Sequence, residues 1–230
     1  MNTQAAPAPS PYAPPDSRMA GTVIAGASVL SVLLMFRHPS VGSHAMADVI
    51  AEVAAKAATD RFVHGGLIAL MGALLFGFVD LSRLLGLRRP PVRAALIAYA
   101  VGTGSMMGAA LISGFVVPDL ASRYASASDA ELEGFRGLAI LSTIGNQTLA
   151  HFGVAAMSVA VFLWSLALLC GPRAVRGVGA LGLLVAAGPV VALLAGVIDL
   201  RVTGMTIVVG CQTLWNLAVS VPMVSRRLLA

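Results

Sequence analysis

The chain has 230 residues, of which 58% are hydrophobic and only 11% charged, with a mean hydropathy of +0.89. Soluble domains carry about 25% charged residues, so a water-soluble globule is excluded, and low charge argues equally against disorder beyond the N-terminus. The pI near 10.0 and the net charge of +5 rest on 14 Arg and one Lys against 10 acidic residues. They do not mark a nucleic-acid binder, because the arginines sort by membrane side.

Residues 1–18 read as a disordered, cytoplasmic Pro/Ala-rich tail: five of the twelve prolines precede Arg18 and no apolar run occurs. Residues 19–225 read as one membrane domain. Six apolar stretches follow, at about 19–36, 62–82, 94–117, 149–170, 177–198 and 205–224, each near the roughly 20 residues that cross a hydrocarbon core. Lipid cannot satisfy the backbone groups of an open sheet, so the expected fold is all-α, a polytopic bundle of six transmembrane helices.

Nine basic residues fall in the tail, the connections and the end assigned to the cytoplasm: Arg18, Arg83, Arg88, Arg89, Arg93, Arg173, Arg176, Arg226 and Arg227. Six (Arg37, Lys56, Arg61, Arg123, Arg136, Arg201) fall in the others, together with eight of the ten acidic residues. The balance is +7 inside and −2 outside, which places both termini in the cytoplasm. The Ala/Arg-rich, Lys-poor composition suggests a bacterial inner membrane. Arg18, the apolar run and Ser43-His44-Ala45 imitate a secretory signal peptide, but the long n-region and the length of the run favour a retained first span.

Two outer connections are long enough to hold structure. In 43–60, Met46, Val49, Ile50, Val53 and Ala57 recur at helical spacing opposite Asp48, Glu52 and Lys56, which predicts a short amphipathic helix. In 118–148, Pro118 is expected to end span three, and Ser128-Asp129-Ala130-Glu131 to open a second amphipathic helix with a capping box. Gly145 is its expected break. Cys170 and Cys211 lie at different depths and are read as packing residues that do not bridge.

All four histidines fall on the outer side. His38 follows span one, His44 opens the amphipathic segment, and His64 and His151 lie in the first turns of spans two and four. Asp119 and Asp199 share that depth. Imidazoles with a carboxylate are ordinary ligands for zinc or non-haem iron, and the nearby Met35, Met46 and Met205 would shift the preference toward copper(I). His64 and His151 are the expected core ligands; His38, His44, Asp119 and Asp199 are further candidates. A pair of helix-borne histidines can also hold haem, but two-haem bundles use histidines at both faces, so haem is less favoured. Each histidine has a plain alternative as an interfacial side chain with a wet ring.

Within span six, Gln212, Asn216 and Ser220 recur every four residues beside Thr206 and Thr213. Such a stripe either glues helices or lines a wet cavity, glue being the commoner role. Asp80 and Arg83 read as a local pair that snorkels to the interface. Gly102, Gly104 and Gly108, and Gly177, Gly179, Gly182 and Gly188, form small-residue faces for close helix approach, in this chain or toward other subunits or a second copy; Gly188-Pro189 marks a kink. No G-x-S-x-G, Walker or dinucleotide motif occurs.

His151-Phe152-Gly153 leads into a span containing Phe162-Leu163-Trp164. An arginine turn precedes Gly179-Ala180-Leu181-Gly182-Leu183-Leu184, and the last span carries Gly210 and Leu214-Trp215. With a short first span and a long outer loop before span four, this layout resembles bacterial six-span membrane families of unknown function over most of residues 20–224. The resemblance implies topology and transfers no catalytic residue.

The functional expectation is therefore an integral inner-membrane protein holding Cu, Zn or Fe at the extracytoplasmic end of its bundle. A metal with an open position would activate water, which leaves enzymatic activity open without naming a catalytic group. The alternatives are a non-enzymatic membrane subunit or small transporter that uses the Gly-rich faces and the span-six stripe, and a single-haem or pH-sensing protein. The only partner read directly from the sequence is the lipid bilayer.

Overall fold

The computed structural model describes residues 17–39, 42–43 and 45–226. Every regular element among them is helical: α1 (Ser17–Met35), α2 (Met46–Leu85), α3 (Pro90–Leu111), a π-helical turn (Ile112–Val116), α4 (Val117–Arg123), α5 (Asp129–Leu169), α6 (Arg173–Leu194) and α7 (Val202–Val224). Six helices are long and apolar enough to cross a membrane, with α3, the π turn and α4 forming one of them.

The two expected amphipathic helices are not separate elements. Segment 46–60 is the N-terminal part of the 40-residue α2, and 129–148 is the N-terminal part of the 41-residue α5. At 1.5 Å per residue each helix is about 60 Å long, about twice the hydrocarbon thickness, so each projects well beyond a bilayer. Neither has a proline between its amphipathic and apolar halves. Gly145 costs only about 1 kcal/mol relative to alanine in a helix, too little to break one that packs on both sides. The expected capping box is present, with the Ser128 amide and hydroxyl both donating to the Glu131 carboxylate (2.8 and 2.7 Å).

Pro118 does not end the third span. It sits in the first turn of α4, directly after the π turn. Proline cannot donate a hydrogen bond and its ring crowds the carbonyl four residues back. The π turn accommodates this by widening the helix: the Val117 amide bonds to the carbonyl of Ile112, five residues back.

Around the bundle α1 packs between α7 and α2, α2 against α3, α3 along α5, α5 against α6 and α6 against α7. The six spans thus close a ring. Toward the end that carries Ser17 and Val224, its centre is filled by aromatic side chains from four helices. Phe78 stacks on Trp164 and on Trp215 (centroids 4.9 and 5.8 Å), and Tyr99 tilts against Phe78 and Trp164. The Trp164 indole donates to the Ser82 hydroxyl at 3.0 Å, satisfying a buried N–H. Toward the other end the centre is hollow.

The contact between α3 and α5 is reciprocal. A β-carbon on Gly102 would come within 2.7 Å of Met157 Cγ, and one on Gly153 within 2.6 Å of Met106 Cγ, so each glycine makes room for a methionine of the facing helix. Gly108, Gly179 and Gly182 also meet neighbouring helices, whereas Gly104, Gly177 and Gly188 face open space. Near the terminal end the expected Asp80–Arg83 pair is present at 2.9 Å, with the carboxylate buried and the guanidinium half exposed. Both cysteines are free.

Candidate functional site

The hollow half of the ring is a cavity of about 360 Å³ walled by α1, α2, α3, the π turn, α5 and α7. On α2, His64, Leu67, Met71 and Leu74 recur on one face and line it. From α7, Gln212, Thr213 and Asn216 reach it; from α1, Ser28, Ser31 and Met35. Its rim, at the end away from the termini, holds His38, His64 and Arg201.

His38 and His64 are in direct contact. Their Nε2 atoms lie 3.3 Å apart, and the rings meet edge to face with centroids 4.8 Å apart. His64 is buried, and its Nδ1 lies 2.9 Å from the carbonyl oxygen of Asp60 one turn earlier. His38 Nδ1 lies 2.9 Å from the carbonyl oxygen of Pro39. A carbonyl only accepts, so each Nδ1 carries its ring's proton, and in the neutral ring each Nε2 presents a lone pair. Two acceptor nitrogens therefore lie 3.3 Å apart, a repulsive contact that a shared cation would relieve.

Three features hold this pair in place. The Met35 carbonyl accepts the His38 amide at 3.1 Å, winding the end of α1 into a turn that ends at the imidazole. Beyond it the chain is pinned back to α2: the Gly42 and Ser43 amides and the Ser43 hydroxyl all donate to the Glu52 carboxylate, which Lys56 also pairs at 2.6 Å. Lys56 first, then Ser43, hold the Glu52 carboxyl down at about 2. On the other side, Gly114 of the π turn packs directly on His64, so closely that a β-carbon there would overlap that of the histidine.

The π turn has its own support. The Asn146 amide donates to the Ala109 carbonyl at 2.9 Å and to the Ser113 hydroxyl, and Gln147 reaches the Leu200 carbonyl at 3.4 Å. These two amides of α5 thus join the π turn to the α6–α7 connection across the cavity rim.

The other expected ligands lie elsewhere. His151 is exposed, bonds through Nδ1 to the Gln147 carbonyl at 2.7 Å, and does not line the cavity. Asp119 pairs with Arg123 at 2.9 Å and lies 3.9 Å from Arg61. Asp199 pairs with Arg201 at 3.3 Å. His44 lies outside the described residues. Among the described residues, no three His, Cys, Asp or Glu side chains gather as a metal-binding group.

The polar stripe divides its roles. Asn216 donates to the Ser28 hydroxyl at 2.9 Å, Thr213 to the Ser28 carbonyl at 3.4 Å and Ser220 to the Asn216 carbonyl, so these residues bind α7 to α1 and to itself. Gln212 lines the cavity with no hydrogen bond to another residue among those described. Sequence reasoning passed over Asn146, Gln147 and Gly114. Two adjacent amides inside an apolar run were the visible signal for the first two; Gly114 carried none.

No family model, no curated protein and no solved structure matches this chain.

Proposed function

We propose that this multi-pass membrane protein binds a transition-metal ion on Nε2 of His38 and His64, at the end of the bundle that the arginine distribution directs outward from a bacterial inner membrane. One observation carries the reading: the two Nε2 atoms lie 3.3 Å apart while both Nδ1 atoms lie 2.9 Å from backbone carbonyls. Metal-bound histidines commonly donate the other ring nitrogen to a carbonyl or carboxylate, which fixes tautomer and ring direction. Two nitrogens each about 2.0–2.1 Å from a tetrahedral ion stand about 3.3 Å apart, which matches the observed separation.

The remaining ligands would come from the cavity side, where Met35 is buried one turn before His38. Two imidazoles with a thioether suit Cu(I) better than Zn or Fe, which take harder or more numerous donors. Rings in edge contact leave no room for a macrocycle between them, which favours a bare ion over haem. An excess proton on the pair would relieve the same repulsion. Equilibrium dialysis of the full chain in detergent against Cu(I), buffered by a competing chelator, separates the two: retained copper that falls by one ion per chain in His38→Ala supports the metal, and copper retention that is nil or unchanged by His38→Ala rejects it.

A further inference from the structure

Resting on the histidine reading, we infer that the cavity beneath the pair is a second binding site, a thioether site for a soft monovalent cation of the Cu(I) class, which enters past His38 and His64. Five of the ten methionines in the chain line this one cavity: Met35, Met71, Met106, Met157 and Met205. Among the described residues, only three leucines do, of 32 in the chain. The lining is thus enriched in sulfur relative to the chain's commonest large apolar residue.

The sulfur-bearing side chains are spread in depth. Met71 follows His64 by seven residues on α2, about 10 Å deeper, and Met157 follows Gln147 by ten on α5, about 15 Å deeper. The Met106 and Met157 side chains occupy the room left by Gly153 and Gly102, so the contact between α3 and α5 is built around them.

The charge of the lining selects the same ion. No Asp, Glu or Lys lines the cavity among the described residues, and its one formal cation, Arg201, is exposed and paired with Asp199. Hard divalent ions require several oxygen ligands, usually with carboxylates among them, and the oxygens of this lining are all neutral. A singly charged soft ion is held by neutral thioethers, and the unbonded Gln212 amide supplies a further dipole. The aromatic stack of Phe78, Trp164 and Trp215 lies below, which makes the cavity a site and not a pore.

The test is Ag(I) binding by the full chain in detergent, with silver per chain counted by mass spectrometry after dialysis. Two ions are expected. His38→Ala with His64→Ala removes one. Met71→Leu with Met157→Leu keeps side-chain volume and fold and weakens the other at least tenfold, while Met107→Leu, outside the cavity, keeps both. In parallel, Ag(I) is expected to shift the methyl resonances of the five cavity methionines in labelled protein and leave that of Met107 in place. One ion, lost with the histidines and indifferent to the methionines, overturns the cavity site and leaves the histidine site standing. No ion in the native chain overturns both.

Discussion

Gly114 and His64 are packed backbone against side chain: the π turn of the third span lies on the imidazole-bearing residue with no space for a methyl group between them. The colliding atom would be the β-carbon of His64, which is fixed to the α2 backbone and cannot rotate away. Gly114→Ala is therefore expected to push α2 from the π turn, costing about 1–3 kcal/mol as overpacking does. Thermal unfolding in detergent should show the loss, and metal retention should fall with it as His64 moves relative to His38. A Gly114→Ala protein with native stability would mean that the π turn does not hold His64.

The histidines differ in ways that single substitutions can read. His38→Ala and His64→Ala should each weaken Cu(I) binding at the histidine site at least tenfold, because either leaves one imidazole where two are needed. His151→Ala should leave it unchanged, since that ring points away from the cavity and bonds only its own helix. Equal losses for all three would contradict the pairing.

Asn146 spans two acceptors on the third span, the Ala109 carbonyl and the Ser113 hydroxyl. Asn146→Leu removes a donor from both, leaving the Ala109 carbonyl with the Ile112 amide. The expected cost is about 1–3 kcal/mol, measured as a lower unfolding midpoint. Asn146→Gln, longer by one methylene, should recover part of it.

Glu52 tethers Gly42 and Ser43 to α2 as a carboxylate. Lys56 and Ser43 favour the charged form and depress the folded pKa from 4.5 to about 2. A depressed carboxylate stabilises fully above its unfolded pKa, and the effect is lost as pH falls through the folded value. Hydrogen exchange at Gly42 and Ser43, corrected for intrinsic rates, should thus stay slow down to about pH 4.5 and rise as pH falls toward 2. Glu52→Gln should exchange fast throughout.

The spans were legible because hydrocarbon imposes a length and an apolar composition on any helix that crosses it. The expected 19–36 and 205–224 compare with Ser17–Met35 and Val202–Val224. The merging of the amphipathic segments into α2 and α5 was not legible, since hydropathy changes at the membrane surface while the helix need not. The histidines show the limit most clearly. Depth follows from position along a span, so His38, His64 and His151 could be placed at one level. Which of them meet depends on rotation about each helix axis, about 100° per residue, and packing sets that rotation. It turned His64 inward against Gly114 and turned His151 out. The methionines were likewise scattered in sequence, and only the closed ring gathers five of them.

The aromatic stack under the cavity has a consequence for traffic. With Phe78, Trp164 and Trp215 all in mutual contact and Tyr99 leaning on Phe78 and Trp164, the hollow half is a cul-de-sac, and whatever enters past the histidines leaves by the same door. Loading and unloading then draw on a single compartment. In this conformation the protein behaves as a reservoir facing that compartment, and carriage across the membrane would require four helices to unstack their rings together.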